Sequence, residues 1–465
     1  MTKQEAVIKY IEDNYLQFNR LRHDVISDKL QVRMEKPTPD PFLKDGGNSE
    51  AHKSFPLGED LGEAFVWREM TKQDINSIVC HCAQEYDANI TSREVMTALQ
   101  SDLIPNVHPL REYIHSLKPY TPDQPDWIDW VAQQVRVADC ASSGVQECRG
   151  SGVTSEQAQS ATELSEPSEP LTSGSNADRL WRTCFKKWFV AMVASWMRDE
   201  VVNHQVLVLI GKQGIFKTTW LEHLIPPHLR AYACKLANSN ELNKDERMRI
   251  AEFGLISLDE IDSMNNRELN QLKSIITATD VNERAAYAYT KERRVRLASF
   301  CASGNRRDFL TDITGNRRWL PFEVESIQNP FHTQLPYERM YAEAWALAQD
   351  PLFSYWFDLD EIEVLEQHNQ HFRDESNEEQ LLDVYFAVPA REATNTKFLT
   401  TAEISERLIY YGNIKRPLSL SRLGVLLSQK GFLSIRKGSP QRRGWIVYER
   451  DNEEVNAERR ILSKT

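Results

Sequence analysis

Residues Val206–Thr219 read VLVLIGKQGIFKTT: five apolar residues in a row, a glycine-bearing turn, then Lys217-Thr218-Thr219. A short continuous apolar run suits a strand buried on both faces of a parallel sheet. A turn that enters a helix at this point presents backbone N–H groups and a helix N-terminus to an anion. A phosphate-binding loop, GxxxxGK[ST], needs glycine freedom for the turn, a lysine for the β/γ-phosphates and a hydroxyl for Mg²⁺. Gly211, Lys217 and Thr218 stand at that spacing, with Gly214 inside the loop, Thr219 beyond it and Phe216 where the pattern has glycine. The apolar run before and the helical pattern after outweigh the plain reading of a glycine-containing turn. ATP and Mg²⁺ are the expected ligands.

Outward from this stretch the pattern alternates. Thr218–Leu224 reads as helix, Ala231–Lys235 as strand, Lys244–Glu252 as helix, Leu255–Leu258 as strand and Asn266–Thr277 as helix. Leu297–Ala302 and Trp319–Glu323 read as further strands, and helices Pro336–Ala348 and Leu359–Phe372 close the run. Such alternation predicts an α/β fold built on a parallel sheet.

The strand Leu255–Leu258 ends in Asp259-Glu260. There an aspartate can hold Mg²⁺ and the next glutamate can orient and polarise an attacking water. Acidic pairs after strands are common surface features, so the signal gains weight only beside Lys217. The strand Leu297–Ala302 leads to Ser303-Gly304-Asn305. Asn305 can hydrogen-bond the γ-phosphate or the attacking water, while a turn-forming Gly-Asn is the plain alternative. Arg317 and Arg318 follow on a loop, where an arginine can offer positive charge to a neighbouring subunit's phosphoryl group.

The chain has 465 residues, 56 Lys plus Arg against 68 Asp plus Glu, and a net charge of −12, a length that suggests two to four domains. No apolar run approaches the ~20 residues a membrane-spanning helix needs, and the N-terminus lacks the pattern of a secretory signal. Seven cysteines, scattered and odd in number, point to a reducing, cytoplasmic setting rather than a disulfide framework. Cys80-His81-Cys82 lies within a predicted helix and has no second ligand pair, so zinc is not expected.

Composition divides the chain. Residues 1–140 read as a mainly helical N-terminal domain, with helices over Glu5–Phe18, Thr71–Tyr86, Thr91–Gln100 and Pro109–Leu117 and a polar loop over Lys36–Gly62. Residues 141–177, rich in Ser, Thr, Glu, Gly and Pro, read as a disordered linker. Residues 178–350 are the expected ATPase domain, opened by an aromatic helix over Arg179–Asp199 whose stripe is read as core packing. Residues 351–395 form a helical connector, 396–452 a basic module and 453–465 a tail. Between Thr401 and Arg450 ten basic residues face three acidic ones, a local balance of +7 on an acidic chain.

GKQGIFKTT, LDEID and ASGNRRDFLTDITGNRRWLPFEV together resemble the virulence-associated protein E family of phages, plasmids and mobile islands. The resemblance covers about Arg179–Val324 and is most specific at TGNRRW. That family is similar to superfamily three helicases and their AAA+ relatives. The resemblance therefore implies an AAA+-like sheet core, a homo-oligomeric ring (a hexamer being one expected size) and action on single-stranded or forked DNA. By position Lys217 and Thr218 match the nucleotide loop, Asp259 and Glu260 the acidic motif and Asn305 the sensor. Arg317 or Arg318 matches the arginine finger, and the sequence does not choose between them.

Two DNA-facing segments are expected. Arg284–Arg296 alternates as a hairpin would, and in superfamily three helicases a hairpin here enters the central channel. Tyr289, Lys291 and Arg293 would then contact a strand by stacking and charge, against the equal alternative of a solvated charged hairpin. In the basic module, helices Thr401–Tyr411 and Ser419–Gln429 and strands Phe432–Arg436 and Trp445–Tyr448 predict a winged helix. Arg422 would lie on its recognition helix and Arg442 and Arg443 on its wing. Winged helices also serve as protein-interaction modules, but the local charge favours DNA. The expected function is a Mg²⁺-dependent, helicase-like ATPase that moves on or remodels DNA in mobile-element replication. Its rivals are a nucleotide-gated regulator without motor activity and a P-loop kinase or nucleotidyl transferase.

Overall fold

The apolar run at 206–210 is a strand with every residue buried, and the rest of the central layer is arranged around it. The computed structural model describes residues 2–35, 65–86, 89–139, 175–236, 244–283, 292–310, 316–373, 377–389, 396–412, 414, 419–437 and 441–462. The central sheet contains β1 (Val135–Val137), β2 (Val206–Ile210), β3 (Ala233–Leu236), β4 (Leu255–Leu258), β5 (Ser299–Gly304) and β6 (Trp319–Ile327), in the order β1-β6-β2-β5-β4-β3. Strands β6, β2, β5, β4 and β3 run parallel, and β1 pairs antiparallel at the edge. The fold is mixed α/β.

Helices α1 (Asn176–Met197), α2 (Lys217–His223), α3 (Lys244–Glu252), α4 (Asn266–Thr277), α5 (Tyr337–Gln349) and α6 (Leu359–Asn369) accompany the sheet. Successive side chains of a strand point to opposite faces, and the core divides accordingly. Leu207, Leu209, Cys301, Leu320 and Phe322 pack with α1 and α5 on one face. Val206, Val208, Ile210, Phe300, Ala302 and Trp319 pack with Leu269, Leu272 and Ile276 of α4 on the other.

The aromatic stripe of α1 is core. Trp181, Trp188 and Trp196 are fully buried, and a buried indole N–H needs an acceptor. Each has a backbone carbonyl: Ala132 at 2.9 Å, Phe300 at 3.1 Å and Gly254 at 3.0 Å. The helix starts at Asn176, capped by Ser175, a little before the expected Arg179. The expected linker otherwise lies outside the described residues, as does the polar loop at 36–62.

The N-terminal segment differs from the expected helical domain in two ways. Its helices lie where the periodicity put them, at Lys3–Ile11, Lys72–Tyr86, Ser92–Leu99 and Pro109–Ser116. It also carries a four-stranded sheet of Leu21–Asp24, Lys29–Glu35, Phe65–Glu69 and Asn106–Val107. The alternation Leu30, Val32, Met34 against Gln31 and Arg33 was the available signal for it. Second, residues 127–137 belong to the central core: Trp127, Ile128 and Val131 pack with α1, and β1 completes the sheet edge. A buried polar contact fixes the N-terminal sheet to this core, with Tyr232 Oη donating to Asp24 at 2.9 Å and Gln31 to Asp24 at 3.2 Å.

At the C-terminal end, a helix at Asn377–Tyr385 is followed by a strand at Thr396–Leu399, helices Thr401–Gly412 and Leu420–Gln429, and an antiparallel pair Leu433–Lys437 and Arg442–Glu449. The first of these helices contributes Leu382 to the module's own core beside Leu423, Leu426 and Trp445. The connector therefore ends before Asn377, and the tail is a helix at Asn452–Leu462.

Gly254, immediately before β4, tests the packing that places this strand. A Cβ there would meet Leu110 Cδ1 at 2.8 Å and Trp196 Cε2 at 2.9 Å. Gly254→Ala should destabilise by about 1–3 kcal/mol, as overpacked cores do. The urea midpoint should fall without a change in slope. An unchanged midpoint would mean that α1 is not held against the start of β4 as described.

Candidate nucleotide site

Parallel strands all end at one edge of a sheet, so the loops after them share that edge. Register makes this concrete: Ile210 lies opposite Gly304 on one side and Glu323 on the other. The Gly211 N–H donates to the Gly304 carbonyl at 3.2 Å, which ties the loop 211–216 to the end of β5. Glycine is required at 211, because a Cβ there would stand 2.7 Å from the Val324 carbonyl oxygen.

The loop turns Lys217 inward. Its ammonium donates to the carbonyls of Gly211 at 2.8 Å and Lys212 at 2.7 Å, and to Asn305 Oδ1 at 3.3 Å. Burial lowers the Lys217 pKa, and Asp262 and Asp259 oppose that shift. Next to it, Thr218 Oγ1 lies 3.1 Å from Asp259 Oδ1 and 2.9 Å from Ser303 Oγ, and Ser303 donates to the same Asp259 oxygen at 2.7 Å. The other Asp259 oxygen receives Lys235 Nζ at 2.8 Å. Burial pushes the Asp259 pKa up, but hydrogen bonds from Lys235, Ser303 and Thr218 and the Lys235 charge leave it lowered overall.

Lys217, Thr218, Asp259 and Asn305, singled out along 89 residues of sequence, thus meet at one edge. Thr218, Ser303 and Asp259 converge as hard oxygen donors, a set that fits Mg²⁺ rather than a softer ion. Gly214 is exposed with φ +87°. Thr219 lies within α2, and its carbonyl accepts from His223 Nδ1 at 2.7 Å. Glu260 is exposed directly after Asp259, with φ +51°.

Two backbone positions here are strained. Phe216 takes φ +66° at the N-cap of α2, the left-handed conformation for which the loop pattern keeps glycine. A side chain in that region costs roughly 1–2 kcal/mol, and Glu260 carries the same burden. Strain of this kind collects at functional sites and switch regions.

The sequence reading passed over three neighbours of the site. Ser303 and Lys235 arrive through strand register, and their only signal was a position near a strand's C-terminal end. Arg307, two residues after Asn305, forms an ion pair with Glu323. Since β5 and β6 flank β2, this pair bridges the end of the strand from which the loop springs.

Other expected residues lie elsewhere. Trp319, which follows the arginine pair, lies opposite Val206, the first residue of β2. Four residue steps along β2, about 13 Å, separate that end from the loop, so the arginine pair lies at the opposite end of the strand from Lys217. With its amide turned so that both atoms are satisfied, Gln205 donates to the carbonyls of Arg317 at 2.8 Å and Arg318 at 3.1 Å. Arg317 is exposed and Arg318 partly buried.

Asp280–Glu283 and Glu292–Val295 pair as the base of the expected hairpin, at the same far edge. Arg293 is exposed and pairs with Asp280 at 2.8 Å, while Tyr289 and Lys291 lie outside the described residues. Buried Arg296 anchors this base through the carbonyls of Ala298 at 2.9 Å and Asn203 at 2.8 Å, and burial lowers its pKa to about 9. In the C-terminal module Arg442 and Arg443 are exposed on the terminal strand pair, with Arg436 and Lys437 across from them. Arg422 is partly buried in the first turn of the helix Leu420–Gln429. No helix among the described residues is long and apolar enough to cross a membrane.

No curated protein matches the chain. The A form apo structure of the NrS-1 C-terminal region is similar at 9% identity and a TM-score of 0.43, over 96% of this chain and 99% of that one. A second apo structure of that region gives 10% identity and 0.43, over 95% and 99%. Likeness at this level establishes no shared activity. Residues 161–374, which contain the loop, the two strained positions and the arginine pair, match the virulence-associated protein E-like domain. Over these residues the chain carries a virulence-associated protein E-like domain.

Proposed function

We propose that the protein is a Mg²⁺-dependent ATPase that acts on DNA during replication of a mobile element. The observation that carries this reading is the meeting of Lys217, Thr218, Asp259 and Asn305 at one sheet edge. A nucleoside triphosphate needs an ammonium for its β/γ-phosphates, a hydroxyl and carboxylate for Mg²⁺, and an amide beside the γ-phosphate. The strand order and the family support an AAA+-like core. When bound, Mg²⁺ would neutralise phosphate charge between Thr218 and Asp259, with Lys235 giving up its Asp259 oxygen. Glu260, one residue on and open to solvent, would orient the attacking water.

In this reading the subunits form a ring. Arg317 and Arg318 stand about one β-strand length from their own loop, which suits an arginine offered to the next subunit. The hairpin base shares their edge, so nucleotide turnover and a DNA strand would engage opposite ends of the same strands. The exposed wing of Arg436, Lys437, Arg442 and Arg443 supports a winged helix on DNA. Its charge contrasts with Arg407, Lys397 and Lys430, which are paired with Glu449, Glu379 and Asp383.

A second reading, a nucleotide-gated regulator without motor activity, is favoured by the contacts that close the site. Lys217 is held by its own loop carbonyls, Lys235 covers Asp259, and Phe216 replaces the expected glycine.

Variants separate these readings. Lys217→Ala should abolish hydrolysis and weaken ATP binding with an unchanged unfolding midpoint; undiminished ATPase activity would remove the loop from the mechanism. Glu260→Gln should bind ATP and turn over very slowly. For the wing, Arg442→Ala should weaken binding to all single-stranded sequences alike, and the salt slope of log affinity should drop by roughly 0.7 for the lost phosphate contact. An unaltered slope would assign the wing to another partner.

A finger provided in trans is worth ~10³–10⁵ in rate. Arg317→Ala or Arg318→Ala should therefore leave ATP binding nearly intact and remove most hydrolysis. Mixing that variant with Lys217→Ala should restore activity, because an intact loop then faces an intact finger. Mixed assemblies no more active than their parts would contradict the trans arrangement.

A further inference from the structure

Two aromatic residues stand beside the candidate site. Phe216 occupies a left-handed position that glycine would fill without strain, at φ +66°. Phe331, on the segment between β6 and α5, leaves 55% of its surface in water. The two rings meet, with centroids 6.2 Å apart and planes at 80°. His223 approaches Phe331 from α2 at 5.6 Å and 87°. Its own ring is fixed by Nδ1, which donates to the Thr219 carbonyl at 2.7 Å. An exposed phenyl ring is therefore held by edge contacts beside the residue that precedes Lys217.

We propose that Phe331, held in place by Phe216 and His223, is the platform on which the base of the bound nucleotide stacks. The inference rests on the reading of 211–219 as a nucleotide site. Sheet order gives the direction. Asp259 and Asn305 follow β4 and β5 on one side of β2, and they take the γ-phosphate end. Phe331 follows β6, the neighbour of β2 on the other side. A nucleotide whose triphosphate enters the loop between them sets its base down toward β6, where Phe331 presents open ring surface. The same contact accounts for Phe216: a glycine there would relax the backbone but would remove the Phe216 ring from beside Phe331.

Stacking of a base on an aromatic ring is sequence-tolerant because every base has a π-face. The platform therefore adds affinity for nucleotides over bare polyphosphate more than it selects one base. Removing one such ring costs about 1–3 kcal/mol, or about 5- to 150-fold in affinity.

The test compares two ligands by calorimetric titration of the full chain with Mg²⁺: ATP, which has a base, and inorganic tripolyphosphate, which has none. Phe331→Ala should weaken ATP about 5- to 150-fold and leave tripolyphosphate affinity unchanged, and Phe331→Trp should restore ATP. Equal losses for both ligands would mean that Phe331 only shapes the loop, and unchanged ATP affinity would mean that no base rests on it; either overturns the platform while keeping the nucleotide site. If the unaltered protein binds neither ligand, the nucleotide reading falls and the platform with it. Because Phe331 is largely exposed, the unfolding midpoint of Phe331→Ala should match the unaltered protein and so verify that the comparison is between folded chains.

Discussion

The hydrogen bond from Gly211 N–H to the Gly304 carbonyl joins the first residue of the loop to the last residue of the neighbouring strand. With it, the paired register of β2 and β5 puts Lys217 within reach of Asn305, and the pairing of β5 with β4 brings Ser303 to Asp259. Were β5 to slip by one residue, its alternation would turn Phe300 and Ala302 out of the α4-side core. Core packing and site geometry therefore enforce one another. Buried side chains on both faces hold the register, and the register holds the polar groups at the edge.

Around that edge the polar groups satisfy one another. Lys217 has three acceptors, and Asp259 has three donors divided between its two oxygens. Any incoming anion and cation must exchange these contacts rather than fill bare ones, so binding energy goes partly into rearrangement. The strained backbone at Phe216 and Glu260 lies at the two ends of this polar set. Residues in such conformations persist where the surroundings fix them, and here the fixing comes from α2 on one side and the short helical turn Ile261–Ser263 on the other.

Much of this was readable from the chain. Lys244–Glu252, Leu255–Leu258 and Asn266–Thr277 have the bounds that periodicity and capping predict, the last with Asn265 and Glu268 forming a capping box. That Lys217, Asp259 and Asn305 would share one edge was legible because each comes after an apolar run that reads as a buried strand. The N-terminal sheet was harder: Leu21–Asp24 has four residues and Asn106–Val107 two, and their pairing spans more than 80 positions. Short strands leave little periodicity, and long-range pairing leaves none. The edge strand β1 hid for the same reason, in a segment whose neighbours are helical. Lys235 and Ser303 carry no motif; each stands beside Asp259 because of what the strand register brings together. The reading of Phe216 as a departure from the loop pattern was sound, and its backbone conformation shows what that departure demands.

The central claim is that the edge formed by β2, β4 and β5 turns over ATP in the service of DNA. Steady-state phosphate release by the full chain with Mg²⁺ and ATP, measured with and without single-stranded DNA, tests it most directly. The account predicts hydrolysis per subunit that rises with protein concentration, as a shared site requires, and that rises again when DNA is added. ATP bound in the same solution but no phosphate released, with or without DNA, would contradict it.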